Sequence, residues 1–298
     1  MKNYASFAFI ILGTVFISAS FGDKPKVKLR KSFTSKYAYV PNGSVSIEGK
    51  AIEVGAFFMS KTEVSNAEYR EFLNSLVDEN LKERYSVKTE EWLEAFKSGE
   101  HLAEHYFSHE TYSSYPVMNI TKESAEAYCN WLTERYASMD IGLEEDMRIV
   151  FRLPTRAEWV RAAMGEKAAP YSWGTKYLRN TKGIYLANFN AIGSEHIHKN
   201  QETGEFEIVS SALTSDTASI IQNDMAIYTA PVNDYAAHSY GLMQMNGNVA
   251  EMLADSDQAA GGSWRSPGYD IRNESLIPFE EASLEVGFRP IGILTEKQ

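Results

Sequence analysis

The chain has 298 residues, of which 44% are hydrophobic, 12% aromatic and 23% charged. This composition is too apolar and too aromatic for a disordered protein and is ample for a packed core. The formal net charge of −11 and the sequence pI of about 5.1 disfavour a long footprint on nucleic acid, since the one obvious basic run, Lys24 to Lys31, adjoins the N-terminus. We therefore expect no nucleic-acid partner.

The N-terminus has the pattern of a secretory signal. Lys2 is followed by an apolar run from Ala5 to Ala19, and small residues close the stretch at Gly22. This order of charge, apolar core and small residues predicts export, with cleavage after Ser20 or Gly22. The run is short for a bilayer span, which favours a cleaved signal, and an uncleaved anchor is the alternative interpretation. No cysteine directly follows the run, so we expect no stable lipid anchor. We expect a protein that is periplasmic, associated with the outer membrane or extracellular.

No linker, low-complexity tract or fixed-period repeat divides the rest of the chain. Length is only a soft guide to the number of domains, and one domain is the simplest interpretation. We expect a signal peptide over residues 1–22, a basic N-terminal segment over 23–38 and a single domain over 39–298.

Two helix starts carry a capping box, in which two side chains satisfy free backbone N–H groups of the first turn. Ser65 pairs with Glu68 in the first, and Thr155 pairs with Glu158 in the second. The apolar faces expected for the two helices are Ala67, Phe72, Leu73 and Leu76, and Trp159, Ala162 and Ala163.

Residues 78–112 are predicted to form a mostly polar insertion with one or two helices, around WLEAF and HLAEHYF. His101 and His105 match the H-x-x-E-H pattern of some zinc proteases, with Glu104 as the base and His109 as a third imidazole. A solvated helix face is the preferred interpretation, because the motif is short and the region is rich in glutamate.

Cys129 is the only cysteine, so an exported domain has no intramolecular disulfide and depends on packing or on metal. It shares a helical spacing with Ala125, Tyr128 and Leu132. Such a pattern predicts a buried, inert thiol, because a reactive thiol needs an accessible and electropositive setting.

Turn residues crowd the chain from Tyr171 onward, where periodic helix signals fade. Short strands and long ordered loops are expected in this half. The stretch AAGGSWRSPGYDIRN, residues 259–273, contains no cysteine, histidine or other redox side chain.

Seven motifs occur in one order along the chain: MSKTEVSNAEYREFL, YPVMNITKESAEAYCNWL, FRLPTRAEWVRAA, YSWG, TAPVNDYAAHSYGLMQMNGNVAEM, GGSW and GFRP. Together, from about Tyr39 to Ile291, they resemble the formylglycine-generating enzyme family, also called the sulfatase-modifying factor family. EHYFSHETYSSYPV and the C-terminal part are most similar to the gliding-motility and type IX secretion branch of Bacteroidetes. The resemblance implies a mixed α/β (α+β) domain related to the C-type lectin fold, with short strands, few helices and much irregular structure.

The resemblance also implies structural Ca²⁺, a hard cation that prefers carboxylate, amide and backbone carbonyl oxygens as ligands. The first family site corresponds to Asn188, Phe189, Asp224 and Ala226, and the second to Gln244, Gly247, Val249 and Glu251. Gln244 stands where the family has Asn or an acidic residue, so the second site is expected to be the weaker one. A buried, hydrogen-bonded turn that needs no ion is the alternative interpretation of Asn248 and Glu251.

Catalytic members of the family carry two cysteines after the GGS-aromatic motif, and their thiolates bind Cu(I), a soft ion that prefers sulfur. Those positions fall on Ser266 and Ile271 in this chain. Neither side chain suits copper, so we expect no copper, no catalytic residues at this loop and no catalytic-cysteine chemistry.

Two classes of function follow from the resemblance. The first is a catalytically silent protein that binds or assembles with envelope or secretion-system proteins. The second is an enzyme of the same superfamily that uses another centre, such as nonheme iron. A carbohydrate-binding role rests on analogy with lectins alone.

Overall fold

The computed structural model describes residues 28–96, 99–191, 197–199, 206–208 and 228–297, with only the backbone described in the two shortest segments. The predicted signal over residues 1–22 lies outside these ranges. Within them, no helix is both long enough and apolar enough to cross a membrane.

Seven α-helices lie in the described part of the chain, all before the predicted loop-rich half. They are α1 (Lys31–Thr34), α2 (Asn66–Ser75), α3 (Glu79–Arg84), α4 (Glu91–Ala95), α5 (Glu100–His105), α6 (Lys122–Ala137) and α7 (Arg156–Met164). The helices α3, α4 and α5 belong to the predicted insertion.

Twelve short strands are described. They are β1 (Tyr37–Val40), β2 (Gly43–Ile47), β3 (Lys50–Val54), β4 (Phe57–Ser60), β5 (Met147–Arg152), β6 (Ile197–Lys199), β7 (Phe206–Ile208), β8 (Ala250–Met252), β9 (Gln258–Ala260), β10 (Leu276–Pro278), β11 (Val286–Gly287) and β12 (Ile291–Glu296). Short strands, few helices and much irregular backbone confirm the predicted mixed α/β fold class.

The main sheet joins both ends of the described chain in the order β1-β4-β12-β5, and all its pairs are antiparallel. Side chains alternate between the two faces of a strand, and β4 has buried residues on both faces. On β4, Phe58 packs with α2 and α6, whereas Phe57 and Met59 pack with α7. The sheet is therefore the middle layer between two helical layers.

A second sheet has the order β10-β9-β8-β11, in which β8 and β11 are parallel and the other pairs antiparallel. The chain leaves β9 at Ala260 and enters β10 at Leu276. The loop with the GGSW motif is thus the connection between two paired strands, and its ends are fixed by the sheet. Two further two-stranded sheets are the antiparallel pairs β2-β3 and β6-β7.

Both predicted capping boxes are confirmed, since Ser65 with Glu68 and Thr155 with Glu158 make the reciprocal hydrogen bonds at the starts of α2 and α7. The expected apolar face of α2 is only partly right. Phe72 and Leu73 are buried, but Ala67 is exposed, and Tyr69 takes the buried position instead. Local capping signals fixed the start of the helix, whereas the packing of the neighbouring α6 decided which face is covered.

The described part of the basic N-terminal segment is continuous with the domain rather than separate from it. The side chain of Phe33 is fully buried, and its ring stacks on Tyr37 at 4.7 Å between centroids. The backbone N–H of Arg30 donates to the carbonyl of Ile141 at 2.9 Å. The domain therefore includes residues that precede position 39.

The insertion is anchored by an aromatic cluster. Trp92 of α4 is almost fully buried and lies 5.1 Å from the ring of Tyr106. The next aromatic residue, Phe96, stacks on Trp264 of the GGSW motif at 5.9 Å and an interplanar angle of 15°. The insertion thus covers one side of the loop between β9 and β10.

Candidate functional site

The GGSW loop begins with a tight backbone turn that requires glycine. Gly261 and Gly262 have φ values of +88° and +68°, a region that other residues rarely adopt. A Cβ on Gly261 would lie 2.5 Å from the carbonyl oxygen of Met245, and one on Gly262 would lie 2.5 Å from that of Asp270. The two glycines therefore bring the loop backbone against its neighbours and aim the following residues inward.

Trp264 holds this loop to the rest of the domain. Its backbone N–H donates to the carbonyl of Asn248 at 2.8 Å, and its indole Nε1 donates to the carbonyl of Leu284 at 2.9 Å. The side chain is only 5% exposed because Phe96 of the insertion lies over it. The tryptophan is thus a buried anchor and not an exposed ligand-binding surface.

Ser266, at the first expected cysteine position, belongs to a buried hydroxyl network. Its Oγ accepts a hydrogen bond from the backbone N–H of Ser263 at 2.9 Å and lies 3.3 Å from the Ser263 hydroxyl. The Ser263 hydroxyl donates to Oε2 of Glu285 at 2.8 Å. Ser266 therefore stabilises the turn through its hydroxyl oxygen.

Ile271, at the second expected cysteine position, is fully buried. It belongs to an apolar cluster with Tyr171, Ala187 and Phe189. A Cβ on Gly262 would come within 2.8 Å of its Cγ2, so the isoleucine fills the space under the turn. This position contributes hydrocarbon packing and offers no side-chain ligand.

For the first predicted calcium site, the structure describes two of the four residues, since Asp224 and Ala226 lie outside the described ranges. Asn188 is buried, and its Nδ2 donates to the carbonyl of Tyr228 at 2.7 Å. Its Oδ1 is buried without a hydrogen-bond partner within the described part of the chain. Phe189 places its side chain in the apolar cluster of Ile271. A buried, unpaired amide oxygen is chemically suited to a hard cation, so Asn188 fits the predicted ligand role.

The second predicted site lies next to the first. The carbonyl of Asn188 accepts from the backbone N–H of Asn248 at 2.7 Å, beside Gly247 and Val249. Gln244 donates through Nε2 to the carbonyl of Pro231 at 2.6 Å, and its Oε1 is buried without a partner among the described residues. Gln244 therefore also presents an oxygen suited to a cation.

Glu251 does not fit this ligand set. Its carboxylate oxygens accept from Nε of Arg289 at 2.8 Å, and Nη2 of Arg289 lies 2.7 Å from Oε1. Oε2 also accepts from the indole Nε1 of Trp159 at 2.7 Å. Because these donors already neutralise and occupy both oxygens, the geometry disfavours Glu251 as a ligand for Ca²⁺. The buried pair matches the alternative expected from the sequence, a hydrogen-bonded structure that needs no ion at this carboxylate.

Glu63 is a buried acid that the sequence did not identify. Its Oε1 accepts from Nδ2 of Asn248 at 2.9 Å, and its Oε2 has no partner among the described residues. The pKa of Glu63 is raised to about 8, chiefly by burial; the charge of Arg289 opposes this shift and that of Glu251 adds to it. The carboxyl group therefore carries a proton in much of the folded population at neutral pH.

Glu63, Asn248, Glu251 and Arg289 form one polar centre beneath the GGSW loop. Asn248 connects it to the first predicted calcium site, because its Oδ1 accepts from the backbone N–H of Ala230 at 2.7 Å and lies 3.4 Å from Nδ2 of Asn188. A sequence signal did exist for Arg289, since a charged residue inside the apolar stretch VGFRPIG needs a buried partner. No comparable signal marks Glu63.

The histidine motif of the insertion and the single cysteine lie outside this polar centre. The imidazoles of His101, His105 and His109 follow one another at 4.7 and 5.6 Å between ring centroids, and His101 and His109 are exposed. Where the structure describes side chains, no group of three or more His, Cys, Asp or Glu residues could hold a metal ion. Cys129 is buried in α6 as predicted, and burial raises the pKa of its thiol.

Comparison of the sequence with known proteins identifies relatives. The family described as "Sulfatase-modifying factor enzyme 1-like domain" matches residues 34–291. A formylglycine-generating enzyme of Thermomonospora curvata is 30% identical over 159 residues, which are 53% of this chain and 39% of that protein. The formylglycine-generating enzyme of Bos taurus is 24% identical over 239 residues, covering 69% of this chain and 50% of the relative. The chain thus spans half or less of the length of these relatives.

Solved structures share the fold at low sequence identity. CarF aligns with a TM-score of 0.53 and 19% identity over 86% of this chain and 97% of its own. Treponema denticola variable protein 1 has a TM-score of 0.54 and 16% identity, with 90% and 99% covered. PvdO from Pseudomonas aeruginosa has a TM-score of 0.53 and 15% identity, with 86% and 93% covered. These structures show the fold, and the family match over residues 34–291 establishes that the chain belongs to the sulfatase-modifying factor family, to which formylglycine-generating enzymes are similar.

Proposed function

We propose that this protein is a non-catalytic member of the family that acts by binding or assembly at the cell envelope. The observation that carries the proposal is the environment of the two positions where the resemblance expects copper-binding cysteines. Ser266 accepts a hydrogen bond within a buried turn, and Ile271 fills an apolar cluster. Both replacements are integrated into the packing of the loop.

The chemistry of these residues supports the absence of copper catalysis. Cu(I) is a soft ion that binds thiolates, whereas a serine hydroxyl is a hard and protonated ligand and isoleucine has no donor atom. Cys129 does not replace them, because it is buried in α6 and its raised pKa keeps it in the thiol form. The curated relatives are named for formylglycine generation, and we propose that this chain retains their scaffold without that activity.

Export is part of the same proposal and rests on the sequence pattern of residues 1–22. A secretory signal would deliver the domain to the periplasm, the outer membrane or the medium. The similarity of some motifs to gliding-motility and type IX secretion proteins favours envelope proteins as partners. The alternative remains a family enzyme with a different centre.

A pull-down of the tagged mature protein from its own envelope fraction tests the assembly role. We expect a stoichiometric set of envelope or secretion proteins that withstands washing. A matched exported protein with the same tag serves as the control. Recovery of the protein alone, with a small molecule or redox metal retained, would instead favour the enzymatic alternative.

We also propose that Ca²⁺ binds at the first family site, through Asn188 and Asp224. Excess Ca²⁺ should raise the melting temperature, since a ligand selective for the folded state stabilises it by about 2.7 kcal/mol at 100 times its Kd. Asp224→Asn should remove most of this shift, whereas the exposed control Asp146→Asn should keep it. Differential scanning calorimetry with Ca²⁺ or with chelator measures the effect, and a wild-type protein that does not respond would show that the site has been lost.

A further inference from the structure

Two neighbouring segments form a positively charged surface on an otherwise acidic protein. Residues 173–185 contain three basic residues and no acidic one, although the whole chain has a formal charge of −11. Arg272 adds a further cation from the GGSW loop, where Asp270 and Glu274 are the acidic neighbours. We call this region the cationic aromatic surface and define it by Trp173, Tyr177, Arg179, Tyr185, Tyr269 and Arg272.

The two segments are held together by specific contacts. The hydroxyl of Tyr171 donates to the carbonyl of Gly268 at 2.7 Å, and the backbone N–H of Asn190 donates to the carbonyl of Ser266 at 2.9 Å. Gly268 also lies against Leu178, because a Cβ at this glycine would come within 2.3 Å of Leu178 Cδ1. The two segments therefore lie side by side.

The arginines of this surface are arranged for anion recognition. The guanidinium carbon of Arg272 lies 3.5 Å from the ring centre of Tyr269, and that of Arg179 lies 4.0 Å from the ring centre of Tyr185. Nε of Arg272 already donates to the carbonyl of Tyr269, and Nη2 of Arg179 donates to the hydroxyl of Tyr185. Stacking on a ring fixes the plane of each guanidinium and leaves its other N–H groups for a planar anion. Within the described ranges, neither arginine forms an ion pair with a carboxylate of the protein.

Exposed aromatic rings lie among these cations. The side chains of Tyr177 and Tyr269 are 65% and 67% exposed. Isolated exposed aromatic residues are ordinary, but here they accompany stacked arginines and a concave site. Trp173 joins the two features, since its indole Nε1 donates to the carbonyl of Tyr177 at 2.8 Å and its ring lines a pocket.

The pocket has a volume of about 300 Å³ and is lined by Glu166, Lys167, Trp173, His238, Ser239 and Tyr240 among others. The Trp173 ring stacks on Tyr171 at 4.6 Å with an interplanar angle of 9°, so its orientation is fixed. One wall includes Tyr240 in the left-handed conformation, with φ of 59°. A non-glycine residue held in that conformation is often part of a binding site.

We propose that the pocket and the cationic aromatic surface bind an acidic polysaccharide. One sugar ring packs its apolar face on Trp173, and carboxylate or sulfate groups of the chain bind Arg179 and Arg272. A charged glycan carries both apolar ring faces and anionic groups, and this surface offers an aromatic ring and guanidinium groups as the two matching contact types. This inference names the ligand class of the proposed binding role and rests on that role.

A polysaccharide fits better than an acidic peptide because of the shape of the site. The pocket is walled by an ordered aromatic ring with polar groups around it, the arrangement that suits a ring with one apolar face and several hydroxyl groups. An acidic peptide that offered only carboxylates would bind the arginines but would not contact the pocket or Trp173.

Binding is measured with the full mature protein by isothermal titration calorimetry against four polymers of matched length. Alginate supplies carboxylates, dextran sulfate supplies sulfates, dextran is neutral, and polyglutamate is an acidic peptide. We expect alginate or dextran sulfate to bind, with the stronger of the two identifying the anionic group. We expect dextran and polyglutamate to bind at least about tenfold more weakly, because each lacks one of the two contact types.

The variant Arg179→Gln/Arg272→Gln should weaken binding by about tenfold or more, since hydrogen bonds to charged groups are the strong ones. The control Lys50→Gln/Arg148→Gln removes two exposed cations elsewhere and should leave the affinity unchanged. Trp173→Phe, which keeps a ring, should bind more tightly than Trp173→Ala, with circular dichroism confirming that each variant is folded.

Four outcomes would overturn the inference: no binding of either anionic glycan, equal binding of dextran, equal binding of polyglutamate, or an equal loss in the control variant. Polyglutamate binding would identify an acidic peptide as the partner class. Copper-dependent oxidation of a peptide by this protein would overturn the non-catalytic role and leave the polysaccharide result unchanged, so the two failures are distinguishable.

Discussion

Replacing Arg289 by alanine should lower the free energy of unfolding by about 3–5 kcal/mol, because it leaves a buried carboxylate without its counter-charge. Arg289 is fully buried and bonds Glu251, while its remaining N–H groups donate to the carbonyls of Ser60 and Lys61 at 3.1 Å and of Met243 at 2.8 Å. The side chain therefore ties the end of β4 to the segment before β8. Chemical denaturation of the wild type and the variant measures the loss.

The matched control is Arg84→Ala, which removes an exposed arginine that pairs with Glu123. It changes the net charge equally but should leave the free energy of unfolding almost unchanged, because a solvated ion pair contributes little. The double variant Glu251→Gln/Arg289→Met should recover much of the stability lost in Arg289→Ala, since no unpaired charge stays buried. A loss in Arg84→Ala as large as that in Arg289→Ala would contradict the buried pair as the cause.

The second large effect concerns pH. A carboxyl group whose folded pKa is raised from 4.5 to about 8 contributes stability that is complete below pH 4.5 and is lost as the pH rises toward 8. Glu63→Gln keeps a neutral amide in that place and should abolish this part of the pH dependence. Relative to the variant, the wild type should lose roughly 3 to 5 kcal/mol between pH 4.5 and pH 8.5, at about 1.4 kcal/mol per pKa unit.

The charged groups that act on Glu63 are Arg289 and Glu251, and both stay in place in the variant. Urea denaturation at several pH values compares the wild type with Glu63→Gln and with the exposed control Glu53→Gln, which should follow the wild type. Parallel curves for the wild type and Glu63→Gln would mean that the buried carboxyl is not the titrating group.

Local signals in the sequence predicted local structure correctly. The helices α2 and α7 begin after Ser65 and Thr155. In each case the side-chain oxygen of this residue and the glutamate three residues later satisfy backbone N–H groups at the helix start, without help from distant residues. Cys129 is buried because the apolar spacing around it marks the inner face of α6. The ordered motifs also predicted the fold, since the family match covers residues 34–291.

The polar centre was not predictable in the same way. Glu63, Asn248 and Arg289 are far apart in the sequence, and only the folded chain brings them into contact. The positions of the motifs led us to expect Glu251 among the calcium ligands. The contact of its carboxylate with the buried Arg289 forms only when the chain folds. Likewise, the contact of Phe96 with Trp264 depends on where the insertion folds back over the loop.

The proposed absence of a copper site can be tested by placing cysteines at Ser266 and Ile271. The variant Ser266→Cys/Ile271→Cys should gain Cu(I) binding that we do not expect of the wild type, because the glycine turn and Trp264 that shape the loop are present. A cavity left by the shortened Ile271 side chain should also destabilise the variant, so binding must be measured at a temperature where it is folded.

The most direct test of the central claim is the oxidation of a cysteine-containing sulfatase-type peptide, followed by mass spectrometry with and without copper. We expect the wild-type protein to leave the cysteine unchanged under conditions in which a catalytic family member converts it to formylglycine. Copper-dependent formylglycine formation by the wild type, absent from a blank preparation, would contradict a non-catalytic role for this protein.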